Sequence, residues 1–407
     1  MKQNVTMQQI AAEAGVSTAT VSRVLTGHPL VSEATRIRVQ GIIDKYHYTP
    51  NSMARSLVCR RSNTLGLLVQ DVSNPYFAQM YIQAEQHATA SGYTLMMFST
   101  QSQESEQASV QRLVRHGVDG IAMASATLDT LEINETMYGV VEELSARLPI
   151  VLINDPVARC HVPFVDAMHY EGYASAVKYL LALGHRRIAF VGGQEENRSA
   201  CTRRRAYADT LAAHGVAVDP RLVHLSGFEA EDGARAMARL LAGDNVPTAV
   251  ICYSDLSAMG VMQVCHQQRL RIPDDLSIIS CDNTYLSRIG DPMLTSIDIH
   301  PGEQGREAIR LLLQMIGGGE VPPETRIASD LVIRGSTGRV PEALQTEQGS
   351  EGIPCFVSIW NMGMLAVSVL FGRAAWSCAD RTRRGTDGRN FALTGARGCD
   401  TLNISCK

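Results

Sequence analysis

Seven short apolar runs recur between residues 65 and 283: LGLLVQDV, YTLMMFST, GIAMAS, IVLIND, RIAFVGG, AVICYS and SIISCDN. Each is too short for a helix, and helical periods separate them. Runs of this kind, apolar on both faces, suit strands buried in a parallel sheet, because helical crossovers cover both sides of such a sheet. The alternation therefore predicts a βαβ series from Leu65 onward. At 407 residues the chain has room for two or three domains. Its 45 % apolar and 19 % charged residues describe an ordinary globular protein.

The first sixty residues follow a different pattern. VTMQQIAAEAGVSTATVSRVL holds two short helical periods around a glycine. Thr6 and Gln9 have capping-box spacing, and Ile10, Ala11 and Ala14 form one apolar face. Gly15 marks the turn, and Ser17 can cap a second helix whose inner face is Val21, Val24 and Leu25. Two helices about a three-residue, glycine-containing turn form the helix-turn-helix layout. The outer face of the second helix would then show Thr18, Ala19, Ser22 and Arg23. A third helix is expected from Ser32, with Ile37, Ile42, Ile43 and Tyr46 closing a small core.

Charge separates the two regions. Residues 1–62 carry eight Lys/Arg against three acids, whereas residues 63–340 carry a net charge of −10. A basic module on an acidic body suggests that one end meets a polyanion. The ten cysteines are scattered without a C-x-x-C pair, which favours reduced, structural thiols. The opening MKQNVTMQQI has no apolar core, so no secretory signal is expected and the expected compartment is the cytoplasm.

The motifs IAAEAGVSTATVSRVLTG, VSEATRIRV, YHYTPNSMARSL, TLGLLVQDVSNPYFAQM, LGHRRIAFVGG, IPDDLSIISCDN and LVIRGST occur in that order up to about residue 340. In this register the chain resembles the lac repressor (LacI/GalR) family of bacterial transcription regulators. The resemblance implies an α helix-turn-helix domain followed by an α/β two-lobed, periplasmic-binding-protein-like domain of doubly wound parallel sheets. On that reading the domains are residues 1–62 (with a hinge helix at 51–58) and residues 63–340. Residues near 294 to 320 are expected to return to the first lobe.

The resemblance also implies roles for particular residues. The second helix would lie in the major groove, with Thr18, Ala19, Ser22 and Arg23 at the DNA. Arg23 suits guanine O6/N7, or else a phosphate. Asn51 would cap the hinge helix, Arg55 would contact phosphate or groove, and Leu57 would wedge between base pairs in the minor groove. Leu57 packing on the body instead remains the alternative. In the lobes, ligands of open α/β sheets sit at the carboxyl ends of strands. That places Asn74, Tyr76 and Phe77 after the first run, Asp255 after AVICY and Asp282 after IISC. Tyr76 and Phe77 would stack on a sugar face unless Phe77 is core, and Asp255 would bind ligand unless it serves the next helix.

RRRAYADTL puts Arg203 in the place of the family's ligand arginine. Ala206 and Thr210 depart from the usual Gly and Ala, and the neighbouring Arg204 and Arg205 leave the register open. DAMHYEGY departs from the family's Asp-Asn, so either Met168 and His169 alter the pocket or the effector, or His169 is structural, the commoner role of a lone histidine.

Residues 341–407 form an atypical tail holding both tryptophans and four of the ten cysteines. Its apolar run IPCFVSIWNMGMLAVSVLFG is near the lower length limit for a membrane span. The tail lacks repeated helix or strand signals and is read as a disordered or non-native extension. A membrane or partner anchor and a small ordered domain are the alternatives.

No Ser-His-Asp order, zinc spacing or Walker lysine occurs, so no catalytic residue, metal or cofactor is expected. The function expected is a sequence-specific repressor, homodimeric or tetrameric, that binds double-stranded operator DNA under control of a sugar or sugar derivative; no membrane role is expected. A pure solute-binding protein and a regulator using a corepressor are the alternatives. Leu57→Ala is expected to weaken specific operator binding and reduce DNA bending while leaving ligand binding unchanged. Undiminished bending in a circular-permutation gel assay would refute the wedge.

Overall fold

The computed structural model describes residues 5–25, 28–46, 48, 61–100, 102–132, 134–153 and 160–340. The expected hinge helix with Asn51, Arg55 and Leu57, and the tail 341–407, lie outside the described residues.

The N-terminal domain has three helices: α1 (Met7–Ala14), α2 (Thr18–Leu25) and α3 (Glu33–Lys45). The expected capping box forms: Gln9 N donates to Thr6 Oγ1 at 3.3 Å and Thr6 N to Gln9 Oε1 at 2.8 Å. Gly15 takes the left-handed conformation at φ 64°, which a Cβ would penalise. Ser17 Oγ accepts from Thr20 N at 3.2 Å and opens α2. Ile10, Ala11, Ala14, Val21, Val24, Val39 and Ile43 form the core. Ile37 is 65 % exposed, and Tyr46 also faces solvent. Val39 lies one turn before Ile43 and shares its buried face, and Ile37, two positions from Val39 and so about 200° around the helix, faces solvent. Lys45 Nζ reaches Glu13 at 2.7 Å and ties α3 to α1.

The body has two six-stranded sheets. The first contains β1 (Thr64–Val69), β2 (Thr94–Ser99), β3 (Gly120–Met123), β4 (Ile150–Ile153), β5 (Phe164–Asp166) and β11 (Glu324–Arg326). Its order is β11-β5-β4-β3-β1-β2, parallel throughout. The second contains β6 (Ile188–Val191), β7 (Val223–His224), β8 (Ala249–Cys252), β9 (Ser277–Cys281), β10 (Thr295–Asp298) and β12 (Asp330–Val332). Its order is β12-β10-β9-β8-β6-β7, with only β12 antiparallel. All seven apolar runs are strands. The strands the runs did not announce have two to four residues, too few to show a period.

Helices cover both faces of each sheet. In the first lobe, α4 (Pro75–Ala90) and α12 (Pro301–Ile316) cover one face, and α5 (Gln103–Arg115) and α6 (Glu135–Ser145) the other. Along β1, Leu65, Leu67 and Val69 join the core under α4 and α12, while Leu68 joins the opposite one. An unbroken apolar run thus feeds two cores through the two-residue period of a strand. In the second lobe, α7 (His169–Ala182) and α8 (Arg198–Ala213) face α9 (Ala230–Ala242) and α10 (Asp255–Gln267) across the sheet.

The chain crosses between lobes three times. In the first two crossings an aspartate at the strand end accepts the backbone N–H two residues on: Asp166 from Met168 at 3.0 Å, and Asp298 from His300 at 2.8 Å. Met168 and His300 are both left-handed, at φ 48° and 50°, and open α7 and α12. At the third, Ser329 Oγ donates to Ala167 O at 2.6 Å, binding two crossings together. The expected return to the first lobe begins later than residue 294, because β10 pairs with β9 in the second sheet. Only from His300 does the chain re-enter the first lobe, and β12 leaves it again.

Within each lobe one helix pair packs backbone to backbone over glycine. A Cβ at Gly260 of α10 would overlap the Ala230 carbonyl at the start of α9, and one at Gly305 of α12 would overlap the Met80 carbonyl of α4. Gly260→Ala is therefore expected to destabilise by about 1–3 kcal/mol, since overpacking forces the helices apart. Gly139→Ala in α6, where nothing lies within 4 Å, should be neutral or stabilising. Urea unfolding of the two variants measures the difference; equal midpoints would refute the close-packing argument.

Candidate effector cleft and DNA-reading helix

Both sheets turn their strand carboxyl ends toward the space between the lobes. In each, the strand order reverses beside the first strand, at β1/β3 and at β6/β8. Such switch points open a crevice where the loops part. Arg203, on α8 beyond β6, is 4 % exposed. Its Nη1 donates to Tyr253 O at 2.8 Å, and its guanidinium lies 4.0 Å from the centre of the Tyr253 ring. Its Nη2 lies 3.4 Å from His169 Nδ1, and its Nε is buried without a hydrogen-bond partner. The register left open by three consecutive arginines is thus resolved: Arg203 turns inward, Arg204 is half-buried and Arg205 exposed. The Met168-His169 departure has a consequence, because it places an imidazole against that arginine.

Asp282 follows β9 with φ 95° and is buried. Burial, and then the Asp255 carboxylate, push its carboxyl up to about 7, against the pull of Arg203. Tyr76 packs on the cores of both lobes, and its hydroxyl donates to Gln304 Oε1 at 3.0 Å. Its phenol feels both Asp282 and Arg203, and burial drives its acidity far down. Tyr253 is pushed up to about 12 by burial, with Arg203 opposing. Tyr76, Arg203 and Asp282 are therefore brought together.

The other three expected cleft residues have structural work. Asn74 caps α4, its Oδ1 accepting from Tyr76 N at 3.0 Å. Phe77 is buried in the first-lobe core and meets Tyr76 edge-on at 4.8 Å, which is the core alternative. Asp255 accepts from Thr284 N at 2.6 Å, Thr284 Oγ1 at 2.8 Å and Ser296 Oγ at 3.2 Å. It holds the loop after β9, and the cap of α10 comes from Ser254.

A clasp closes the cleft that no motif announced. Asp129, in the loop after β3, accepts from Ser199 N at 3.0 Å and from Ser199 Oγ at 2.6 Å, at the first turn of α8. Leu131 N donates to Glu196 O at 2.8 Å, and Arg198 Nη2 to Thr130 O at 2.9 Å. Ser199 Oγ also lies 3.1 Å from the Tyr253 hydroxyl. A carboxylate at a helix N-terminus is favoured by unpaired N–H groups and the helix dipole. Glu106 shapes the Asp129 loop from behind, accepting from Thr127 Oγ1 at 2.9 Å and from Ser125 Oγ. Burial pushes its carboxyl up.

On the N-terminal domain, Thr18, Ala19 and Arg23 are exposed along α2 and Ser22 is half-buried, opposite the buried Val21 and Val24. Short side chains and one guanidinium on a capped, exposed helix are suited to a major groove.

A two-lobed binding body and a helix-turn-helix in one chain define a ligand-controlled DNA-binding regulator. Residues 6–51 match the model of bacterial regulatory proteins of the lacI family, and residues 177–337 that of a periplasmic binding protein-like domain. The chain is 34 % identical over 338 residues to the HTH-type transcriptional repressor CytR of Escherichia coli K12, covering 83 % of this chain and 97 % of that protein. It superposes on the lac repressor dimer bound to operator and the anti-inducer ONPF with a TM-score of 0.74 and 25 % identity, covering 83 % of this chain and all of that one. The CelR–cellobiose complex matches with a TM-score of 0.61 and 27 % identity, over 82 % of this chain and 99 % of that one. The chain belongs to the lacI family of bacterial regulatory proteins. Its function is that of a DNA-binding transcriptional repressor with an effector-binding domain, and not of an enzyme.

Because Asp282 binds its proton more tightly folded than unfolded, its carboxylate lowers stability above pH 7. That penalty fades as pH falls through 7 toward the ordinary carboxylate range. Asp282→Asn is expected to raise the melting temperature at pH 8, with the gain shrinking toward pH 5. A pH-independent difference would show that the carboxylate is not held near neutrality.

Proposed function

We propose that this repressor acts as a homodimer or tetramer in the bacterial cytoplasm and releases its operator when a sugar or sugar derivative occupies the cleft between the lobes. The carrying observation is the Arg203 Nε, a buried donor without a partner in a cleft that also holds Asp282. A buried unmade hydrogen bond costs about 1–3 kcal/mol, and a ligand oxygen would recover it. An arginine beside a carboxylate offers donors and acceptors to vicinal hydroxyls, and the Tyr253 and Tyr76 rings offer apolar faces. Cellobiose in the CelR complex supports a ligand of this class.

At the other end, Thr18, Ala19 and Arg23 would read bases, with Ser22 near phosphate. The hinge residues Asn51, Arg55 and Leu57 would enter the minor groove between paired copies. Exposed Tyr285, Ile289 and Met293 form an apolar group around a short helix, α11 (Leu286–Ile289), which supports self-association. The ligand shifts the equilibrium only by its differential affinity for the lobe arrangements. The Asp129–Ser199 clasp belongs to the closed one. Among the described residues no helix is long and apolar enough to cross a membrane.

A thermal-shift screen of sugars, sugar acids, polyols and nucleosides, with hits retested in a gel shift, tests the proposal. Arg203→Met should bind a near-palindromic operator as the unaltered protein does, yet need at least tenfold more ligand for release. Release at unchanged ligand concentration would remove Arg203 from the site. A hit that tightens operator binding would make the ligand a corepressor.

A further inference from the structure

Arg204 and Arg205, which turn away from the effector cleft, line a second cavity of about 680 Å³. It lies between the outward side of α8, the segment around β7 and Arg239 of α9. Three properties combine in it. First, none of Arg204, Arg205 and Arg239 has an ion-pair partner among the described residues. Arg205 rests on the Tyr170 ring at 5.3 Å, a contact that leaves its N–H groups available. Second, the hydroxyl of Ser226, in the cavity wall, is buried without a hydrogen-bond partner. Third, Val218, Val223 and Leu225 give the same cavity an apolar lining.

Glu195 is the one carboxylate in the lining, so three guanidinium groups leave the cavity net cationic. It stands on a body whose net charge is −10. A local reversal of sign on an acidic surface concentrates anions there. Guanidinium forks match phosphate oxygens in geometry, and charge-assisted hydrogen bonds of this kind are the strong ones. The volume falls in the range of small-molecule sites, about 300–1,000 Å³. A buried serine hydroxyl in the wall suits a single projecting group better than the backbone of an extended polymer.

We infer that this cavity binds a phosphomonoester carrying an apolar or planar body, separately from the effector cleft. The phosphate lies among Arg204, Arg205 and Arg239, the Ser226 hydroxyl donates to one of its oxygens, and the body lies along Val218, Val223 and Leu225.

Isothermal titration of the full chain with 5′-AMP, glucose 6-phosphate and inorganic phosphate, each ester paired with its neutral parent, tests this. A phosphomonoester should bind at least tenfold more tightly than both its parent and inorganic phosphate, and should weaken as KCl rises. The double variant Arg204→Ser/Arg239→Ser should lose at least tenfold of that affinity, with operator affinity and circular dichroism unchanged. Arg203→Met should retain it within twofold. Absence of binding, or binding insensitive to the double variant, overturns the site. Loss in Arg203→Met alone places the phosphate in the effector cleft and also overturns it. Equal affinity for inorganic phosphate overturns the role of the apolar lining. Capture of an acidic peptide such as oligoglutamate, without any phosphomonoester, would make the cavity a docking surface for protein.

Discussion

Asp129 holds the two lobes against one another. Its carboxylate takes the Ser199 N–H and hydroxyl at the first turn of α8, the helix that carries Arg203 four residues later. The arrangement couples the cleft to both switch points at once. Asp129 comes from the loop beyond β3 and Ser199 from the loop and helix beyond β6, so the contact exists only when the lobes approach. Ser199 passes the contact to the Tyr253 hydroxyl, and Tyr253 supports the Arg203 guanidinium through its carbonyl and its ring. Arg203 is therefore linked to the Asp129–Ser199 contact through a single intervening residue, Tyr253.

The cleft concentrates ionisable groups that are expensive to bury. Asp255 meets that cost with hydrogen bonds from Thr284 and Ser296, and so works as a girder for the loop that presents Asp282. Asp282 has no comparable set, and its carboxyl is held near neutrality. Two carboxylates of similar sequence context thus divide the work. One is met by hydrogen bonds within the protein, and the other is kept near neutrality by burial. Buried polar groups without full partners are costly in a low-dielectric interior.

Legibility in the sequence followed the range of the forces involved. The capping box, Gly15 and the buried strands are written locally, by hydrogen bonds within four residues or by the apolar period. The seven strands were legible because a strand flanked by helices on both faces must be apolar throughout. The core of α3 was half legible: Ile43 is buried as expected, but the helix is rotated so that Val39 faces inward and Ile37 outward. Phe77 and Asn74 read equally well as ligand groups or as structure, since core packing and capping use the same residue types. Asp129 gave no signal, because ATLDTLE reads as any polar loop until its partner at Ser199 is brought alongside.

The sequence by itself determined the family, the two kinds of domain, the strands and the inward position of one arginine in RRRAYADTL. It did so because periodicity, capping and ordered motifs act over a few residues and tolerate no shift of register. Only the tertiary structure decided which arginine that was. It also separated Asp282 from Asp255 and joined Asp129 to the start of α8. It gathered Arg204, Arg205 and Arg239 around one cavity. Each of these outcomes depends on two or more segments far apart in the chain, and the packing of one lobe against another is what makes them neighbours.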